Sequence, residues 1–238
     1  MSLEVQIIHL GKMSYQDAWS EQQRYLELRK QGLIDDTLLL VEHPPTISLG
    51  KNEEWNKLHY AVDVIKARGM QVVHSERGGG AAYLGDGQLV GYVIANILPY
   101  GGVLPFMQLL EEVMIRSAEE FNISVRRHDT RNPTTDKPYR ATWFERDGKF
   151  YVLCTKGIGV QSFDGGYFSH HGFCLNIAKN HSYFDVLDPC GFPVADVPPI
   201  SMEEILGKSV DMDTVKDVVS RQFRKLFKQS EVVVHASA

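Results

Sequence analysis

The sequence predicts an α+β fold with a mixed, mostly antiparallel central sheet flanked by helices, and two observations carry that expectation. Residues 141–177 hold the β-prone runs TWF, YVL, IGV and GFCLNI with glycines between them, the pattern of several adjacent antiparallel strands. Helical patterns lie before, between and after the strand-like runs, which groups the strands in the middle of the chain. A chain of 238 residues fits one large domain or two small ones. No repeat or low-complexity run divides it, so a single domain over 1–238 is expected.

The elements follow in order. Residues 5–10 read as a strand. Ser14, with Asp17 three residues on, resembles a capping box opening a helix that Gly32 ends and that turns Ala18, Trp19, Tyr25 and Leu26 to the core. Residues 37–41 form a β-prone run, Pro44-Pro45 forces an extended turn, and 46–49 form another strand. A short helix over 61–68 is stopped by Gly69, and 71–74 read as a strand. The apolar stretch 89–98, ended by Pro99, reads as a core strand, since a membrane span needs about 20 apolar residues. Phe106, Leu110, Met114, Ala118 and Phe121 recur at three and four, as on a helix packed across a sheet. Residues 128–138, dense in Asp, Asn, Thr and Pro, read as a surface loop, and a last helix near 214–227 buries Val215, Val218, Val219, Phe223 and Leu226.

Composition excludes several classes. With 25 Lys+Arg against 30 Asp+Glu, the net charge of −5 argues against the basic field of a nucleic-acid binder. Cys154, Cys174 and Cys190 are odd in number and lack CxxC spacing, which fits a reducing compartment rather than a disulfide framework or a thiolate zinc site. The start MSLEVQIIHLG has the features of neither a secretory signal nor a transit peptide, so a soluble, cytoplasmic, monomeric protein with no membrane association is expected. Asn122-Ile-Ser and Asn180-His-Ser match the glycosylation pattern, but without a secretory signal they carry no meaning.

Chemistry concentrates in two places. Residues 76–92 contain six glycines in seventeen positions, and glycine lets backbone approach a ligand and turn N–H groups toward it. A carboxylate, phosphate or acyl-chain site fits such a loop, and so does a plain glycine-rich turn; neither a Walker loop nor a dinucleotide fingerprint is present. Arg77 fits an anion contact or a salt bridge to Glu76 or Asp86. The second place is His170-His171-Gly172 followed by Asp188-Pro189-Cys190-Gly191. A cysteine carries an acyl group when a base or cation, here Lys156 or His171, stabilises its thiolate. Cys154 and Cys174 sit in strand-like runs that favour burial, whereas Cys190 sits in a turn. Strand neighbours point to opposite faces and no carboxylate recurs at ligand spacing, so no metal site is expected at the paired histidines. His43, before Pro44-Pro45, reads as a turn or core residue.

In order, EHPPTISLG (42–50), RGGGAAYLGDGQLVGY (77–92), SHHGFCLNI (169–177) and YFDVLDPCG (183–191) resemble the motifs of the lipoyl(octanoyl) transferase family over about 150 residues. The resemblance implies the fold of the biotin and lipoate protein ligase catalytic domains. It also implies transfer of an octanoyl group, without ATP or another cofactor, from octanoyl-acyl carrier protein to a lysine of lipoyl domains, in lipoate biosynthesis. The acceptors it implies are the lipoyl domains of 2-oxoacid dehydrogenases and the glycine cleavage H protein. By position, Cys190 becomes the thioester nucleophile and His171 the site histidine. Arg77, Gly78, Gly79, Gly80, Tyr83, Gly85, Gly87 and Gln88 become the acyl-binding loop, joined by Gly157, Gly159 and Gly172.

The chain departs from the family pattern in three places. Leu84 stands for its loop histidine and Asp86 for its proline. The catalytic lysine of K-I-A-x-I-G falls on Cys154 without a gap; Lys156 lies two residues nearer the glycine and keeps the strand face, so it is expected in the pocket, with Lys149 the poorer candidate. Ser169-His170 replaces Thr-Tyr. As the base for the acceptor amine, Lys156 requires a pKa lowered by burial, and His171 is the other candidate. The Lys156 or Gly157 N–H and the glycine loop are oxyanion donors on this reading, and Leu89, Val90 and Val93 line either an acyl tunnel or ordinary core. Arg126, Arg127, His128, Arg131, Lys137 and Arg140 offer a local basic surface to the acidic carrier. An ATP-dependent lipoate or biotin ligase, a non-catalytic acyl-binding relative and a cysteine hydrolase are the competing readings. The ligase would not need Cys190.

Overall fold

A computed structural model describes residues 5–128, 131, 139, 141–180 and 184–235, with side chains through residue 228. The chain runs β1 (Gln6–Lys12), α1 (Tyr15–Lys30), β2 (Thr37–Glu42), β3 (Thr46–Leu49), β4 (Lys57–Leu58), α2 (Val62–Ala67), β5 (Gln71–His74), β6 (Ala82–Leu84) and β7 (Gln88–Ile94). It continues through α3 (Val103–Glu119), β8 (Val125–Arg126), β9 (Ala141–Arg146), β10 (Lys149–Phe163), β11 (Gly166–Asn176), β12 (Leu187–Asp188), α4 (Met202–Leu206) and α5 (Met212–His235). A seven-stranded sheet has the order β1-β2-β7-β11-β10-β9-β8, with β1 and β2 parallel and every other pair antiparallel. A three-stranded sheet, β5-β3-β6, and the pair β12-β4 stand beside it. The α+β expectation with a mostly antiparallel sheet holds.

Side-chain alternation sorts the core into two layers. Leu38 and Leu40, Leu89 and Val93, Phe173 and Leu175 join Phe106, Leu110, Val215 and Phe223 beneath α3 and α5. Leu39 and Val41, Val90 and Tyr92, and Cys174 face the other way, onto Ala18 and Leu26 of α1. Strand β2 is thus buried on both faces, which is why it reads as a continuous apolar run. Helix α1 opens as expected, with the Asp17 N–H donating to Ser14 Oγ at 3.1 Å.

Strands β9, β10 and β11 are set in register by two Asp-Gly turns. Arg146 pairs with Lys149 across Asp147-Gly148, and Phe163 with Gly166 across Asp164-Gly165. All four turn residues have positive φ (52°, 73°, 43° and 74°), the conformation whose twist suits a two-residue hairpin.

Several boundaries differ from the sequence reading. The apolar stretch 89–98 is a strand only to Ile94; Asn96 bridges to Phe168, and Leu98–Tyr100 is a 3-10 turn with Pro99 inside it. The glycine segment is not one loop, because it contains β6, paired with β3. In α5, Phe227 is fully buried while Leu226 only borders the core. Residues 129–130 and 132–138 of the expected surface loop, and His181 and Ser182 of the second glycosylation match, lie outside the described residues. Among the described residues no helix is long and apolar enough to cross a membrane.

A Cβ is strained at the second residue of each Asp-Gly turn. Gly148→Ala and Gly165→Ala are each expected to lower unfolding stability by about 1 kcal/mol, read from urea denaturation midpoints at unchanged m-value.

Candidate active site

A largely apolar pocket lies on the α1 side of the sheet, with Tyr15, Arg77, Tyr83, Tyr92, His171 and Cys190 in its wall. Cys190 is the half-buried cysteine; the other two are buried. Burial pushes the Cys154 thiol up to about 12 and raises Cys174 further, so neither is a nucleophile. Cys190 (φ 52°) and Gly191 (φ 75°) form a left-handed pair after Pro189, fastened by the Cys190 N–H to the Ala81 carbonyl at 2.9 Å. The sulfur rests against Gly79, where a Cβ would stand only 3.2 Å from Sγ. Here glycine is needed because backbone passes directly beneath a thiol.

Arg77 neither pairs with Glu76 nor with Asp86, which binds Lys12 at the surface. Its Nε donates to Ser48 Oγ (3.1 Å), its Nη2 to the Ser48 carbonyl (2.6 Å) and its Nη1 to the Gly78 carbonyl (3.1 Å). A Cβ at Gly79 would also stand 3.6 Å from Nη1. The Gly78 N–H donates to the Ile158 carbonyl at 2.9 Å, tying the loop to β10. Other expected ligand glycines answer to packing. A Cβ at Gly80 would strike the Trp55 carbonyl, at Gly85 the Tyr83 hydroxyl, at Gly159 the His170 ring, and at Gly172 the Gly91 carbonyl. Gly157 lies opposite Gly172 and has Gly78 and Arg77 above it. Gly87 (φ 83°) accepts from both Ile177 and Ala178 N–H at 2.9 Å. Gln88 holds the loop's shape, accepting from the Gly85 N–H and donating to Asn176 Oδ1, both at 2.8 Å.

His171 departs from strand geometry. Its φ of 59° turns its N–H to Gln22 Oε1 of α1 at 2.8 Å. The expected alternation is therefore broken, and the His170 and His171 rings lie 4.8 Å apart, both on Trp19. The Trp19 and His171 rings stack at 5.0 Å, and His171 Nε2 lies 3.5 Å from Ser75 Oγ. Burial, with the charges of His170, Arg77 and Lys51 adding to it, holds the His171 imidazole well below its ordinary range, and burial lowers His170 to about 4. Both are neutral. His43 is also buried: its Nδ1–H donates to the Met13 carbonyl at 2.9 Å, so Nε2 accepts from the Tyr92 hydroxyl at 2.7 Å. Residue-by-residue reading singled out none of Tyr15, Gln22, Ser75 and Tyr92; Tyr92, closing the GQLVGY run, carried the one local signal.

Lys156 borders the pocket, yet its ammonium leaves it. Alternation puts Cys154, Lys156 and Ile158 on the α3 side, where Lys156 Nζ pairs with Glu111. Both partners are buried, and Arg127 Nε binds the same carboxylate at 3.0 Å. Lys149 is exposed at the β9–β10 turn. Lys149 is not among the lining residues, whereas Lys156 shares the pocket wall with Cys190. Leu84 packs with Val90, Tyr92 and Cys174, and of the three expected tunnel residues only Val90 lines the pocket; Leu89 and Val93 belong to the opposite layer. The basic surface is largely neutralised where it is described: Arg126 pairs with Glu145, and Arg127 with Glu111 and Glu112. Lys137 and Arg140 lie outside the described residues.

Solved structures define the class first. A bipartite lipoate protein ligase from Thermoplasma acidophilum superposes with a TM-score of 0.69 at 13% identity, covering 99% of this chain and 91% of that one. A biotin protein ligase from Aquifex aeolicus does so at 0.53 and 14%, covering 94% and 71%. The fold is that of the lipoate and biotin protein ligases. More narrowly, the lipoyl protein ligase A/B catalytic domain profile matches residues 14–224, and the chain belongs to that family. It is similar to the octanoyltransferase of Koribacter versatilis, 33% identical over 94% of this chain and 85% of that protein. The octanoyltransferase of Alkaliphilus metalliredigens is 34% identical over 94% and 96%.

Because the folded imidazole of His170 is depressed, its contribution to stability is complete above the unfolded value of 6.5 and lost as pH falls toward about 4. That shift corresponds to roughly 3 kcal/mol. The unfolding free energy is expected to fall over this window, and His170→Phe to flatten that slope in denaturant titrations at stepped pH.

Proposed function

We propose that this protein is an octanoyltransferase of lipoate biosynthesis, acting as one cytoplasmic domain that passes an octanoyl group through Cys190 without ATP. The donor is octanoyl-acyl carrier protein. The acceptors are lysines of lipoyl domains, those of 2-oxoacid dehydrogenases and of the glycine cleavage H protein. The observation that carries the reading is the placement of the half-buried cysteine in a left-handed turn, its sulfur on Gly79 and beside Arg77 in an apolar pocket. The similarity to octanoyltransferases over most of the chain supports it.

In the first half-reaction the Cys190 sulfur bonds to the acyl carbon, the donor's carbon–sulfur bond breaks, and the donor leaves as a thiol. One thioester replaces another, so no activation energy source is required. The Arg77 guanidinium, anchored on Ser48, supplies positive potential to the thiolate and to the tetrahedral oxyanion. In the second, the acceptor's amine nitrogen bonds to the acyl carbon and the Cys190 carbon–sulfur bond breaks. The amine proton passes to His171, whose buried neutral imidazole has a lone pair to receive it. Lys156 is the other candidate for this proton, and its pairing with Glu111, which ties β10 to α3, favours His171.

Intact mass after mixing with octanoyl-acyl carrier protein, without ATP, is expected to show one hydroxylamine-labile octanoyl group, absent in Cys190→Ser. His171→Phe is expected to keep the adduct and slow transfer to a lipoyl domain by roughly 100-fold. Lys156→Met is expected to retain thioester formation. ATP-dependent modification of the acceptor by Cys190→Ser would overturn the reading in favour of a ligase.

A further inference from the structure

Outside the pocket, one residue grips the segment leading to Cys190 at three points. His59 follows β4, whose Lys57 and Leu58 pair with Asp188 and Leu187 of β12. Its backbone N–H donates to the Val186 carbonyl at 2.9 Å. Its ring Nδ1 lies 2.7 Å from the Asp185 carbonyl oxygen, and Nε2 lies 3.0 Å from Asp188 Oδ1. A carbonyl and a carboxylate only accept, and a neutral imidazole carries one N–H. The imidazolium alone makes both bonds. Asp188 is followed by Pro189, whose ring restricts the backbone, and then by the left-handed Cys190.

We infer that His59 is a positioning residue for Cys190: as an imidazolium it pins Asp185 and Asp188, and through Pro189 it fixes the turn that presents the sulfur. The inference rests on the reading of Cys190 as acyl carrier. The Asp185 carbonyl, joined by the Asp188 carboxylate, raises His59 above its ordinary 6.5. Among the described residues, the other charged or titratable groups here are Lys57, opposite Asp188 on β4, and Arg68, the residue capping α2, with Tyr60. Arg68 Nη2 donates to Asp185 Oδ2 at 3.2 Å and its guanidinium lies over the Tyr60 ring, so Asp185 is shared while Asp188 Oδ1 faces His59. As pH rises through the His59 titration, one ring nitrogen becomes a lone pair against an oxygen, and the grip is lost.

The test follows alkylation of Cys190 in the full chain by iodoacetamide, mapped by peptide mass, at stepped pH. His59→Gln is expected to react roughly fivefold more slowly than the unsubstituted chain below the His59 titration, and equally above it. Asp188→Asn should give the same profile. Nitrogen NMR of the unsubstituted chain should show both His59 ring nitrogens protonated to a pH above 6.5. A ratio of one throughout, a pH-independent difference, or a His59 that titrates at or below its ordinary value would each overturn the inference. Failure of the unsubstituted chain to gain octanoyl overturns the acyl-carrier reading instead, and the alkylation profile still judges the grip.

Discussion

The β10–β11 ladder is the constraint on which the pocket depends. Its register puts Gly157 opposite Gly172 and Ile158 opposite His171, and the Ile158 carbonyl holds the Gly78 N–H. Because strand side chains alternate, that one register decides which groups face α1 and which face α3. Thr155 and Cys174 line the pocket, while Lys156 crosses to Glu111. The glycine loop, Arg77 and the Cys190 turn are then layered on the side the ladder leaves open.

The pocket's electrostatics are one-sided. Among the described lining residues no carboxylate appears, Arg77 and Lys156 are the cations, and the His171 imidazole is neutral. Negative charge that develops at sulfur or carbonyl oxygen meets a guanidinium and little competing negative charge. The neutral state of His171 comes from enclosure by Trp19, Tyr15 and Tyr92. Burying two adjacent histidines carries a cost: both His170 ring nitrogens lack partners. His170 packs edge-on to Trp19.

Much of the fold was legible because it is local. Ser14 and Gly32 bound α1, and the three- and four-residue spacing of Phe106 to Ala118 marks α3, since capping and periodicity act over a few residues. Cys190 stood out for a similar reason, lying between Pro and Gly. The strand shift that brings Lys156 to the pocket wall was legible, but its ion pair was not, because Glu111 lies 45 positions away. The break in strand alternation at His171 was not legible, because its positive φ is held by Gln22, 149 positions away. His59, likewise, is joined to Asp188 across 129 positions, a distance at which spacing along the chain carries no signal.

The two Asp-Gly turns also bear on how the molecule assembles. They let β9, β10 and β11 pair through neighbours in sequence, with little chain entropy lost to loop closure. Strand β7 instead docks between β2 and β11, and α1 must return to cover His171. The meander is therefore suited to form early, whereas the pocket is closed by long-range contacts that come late. A chain still emerging from the ribosome would hold the C-terminal part of the site unmade, and its pocket closes only when the whole architecture is complete.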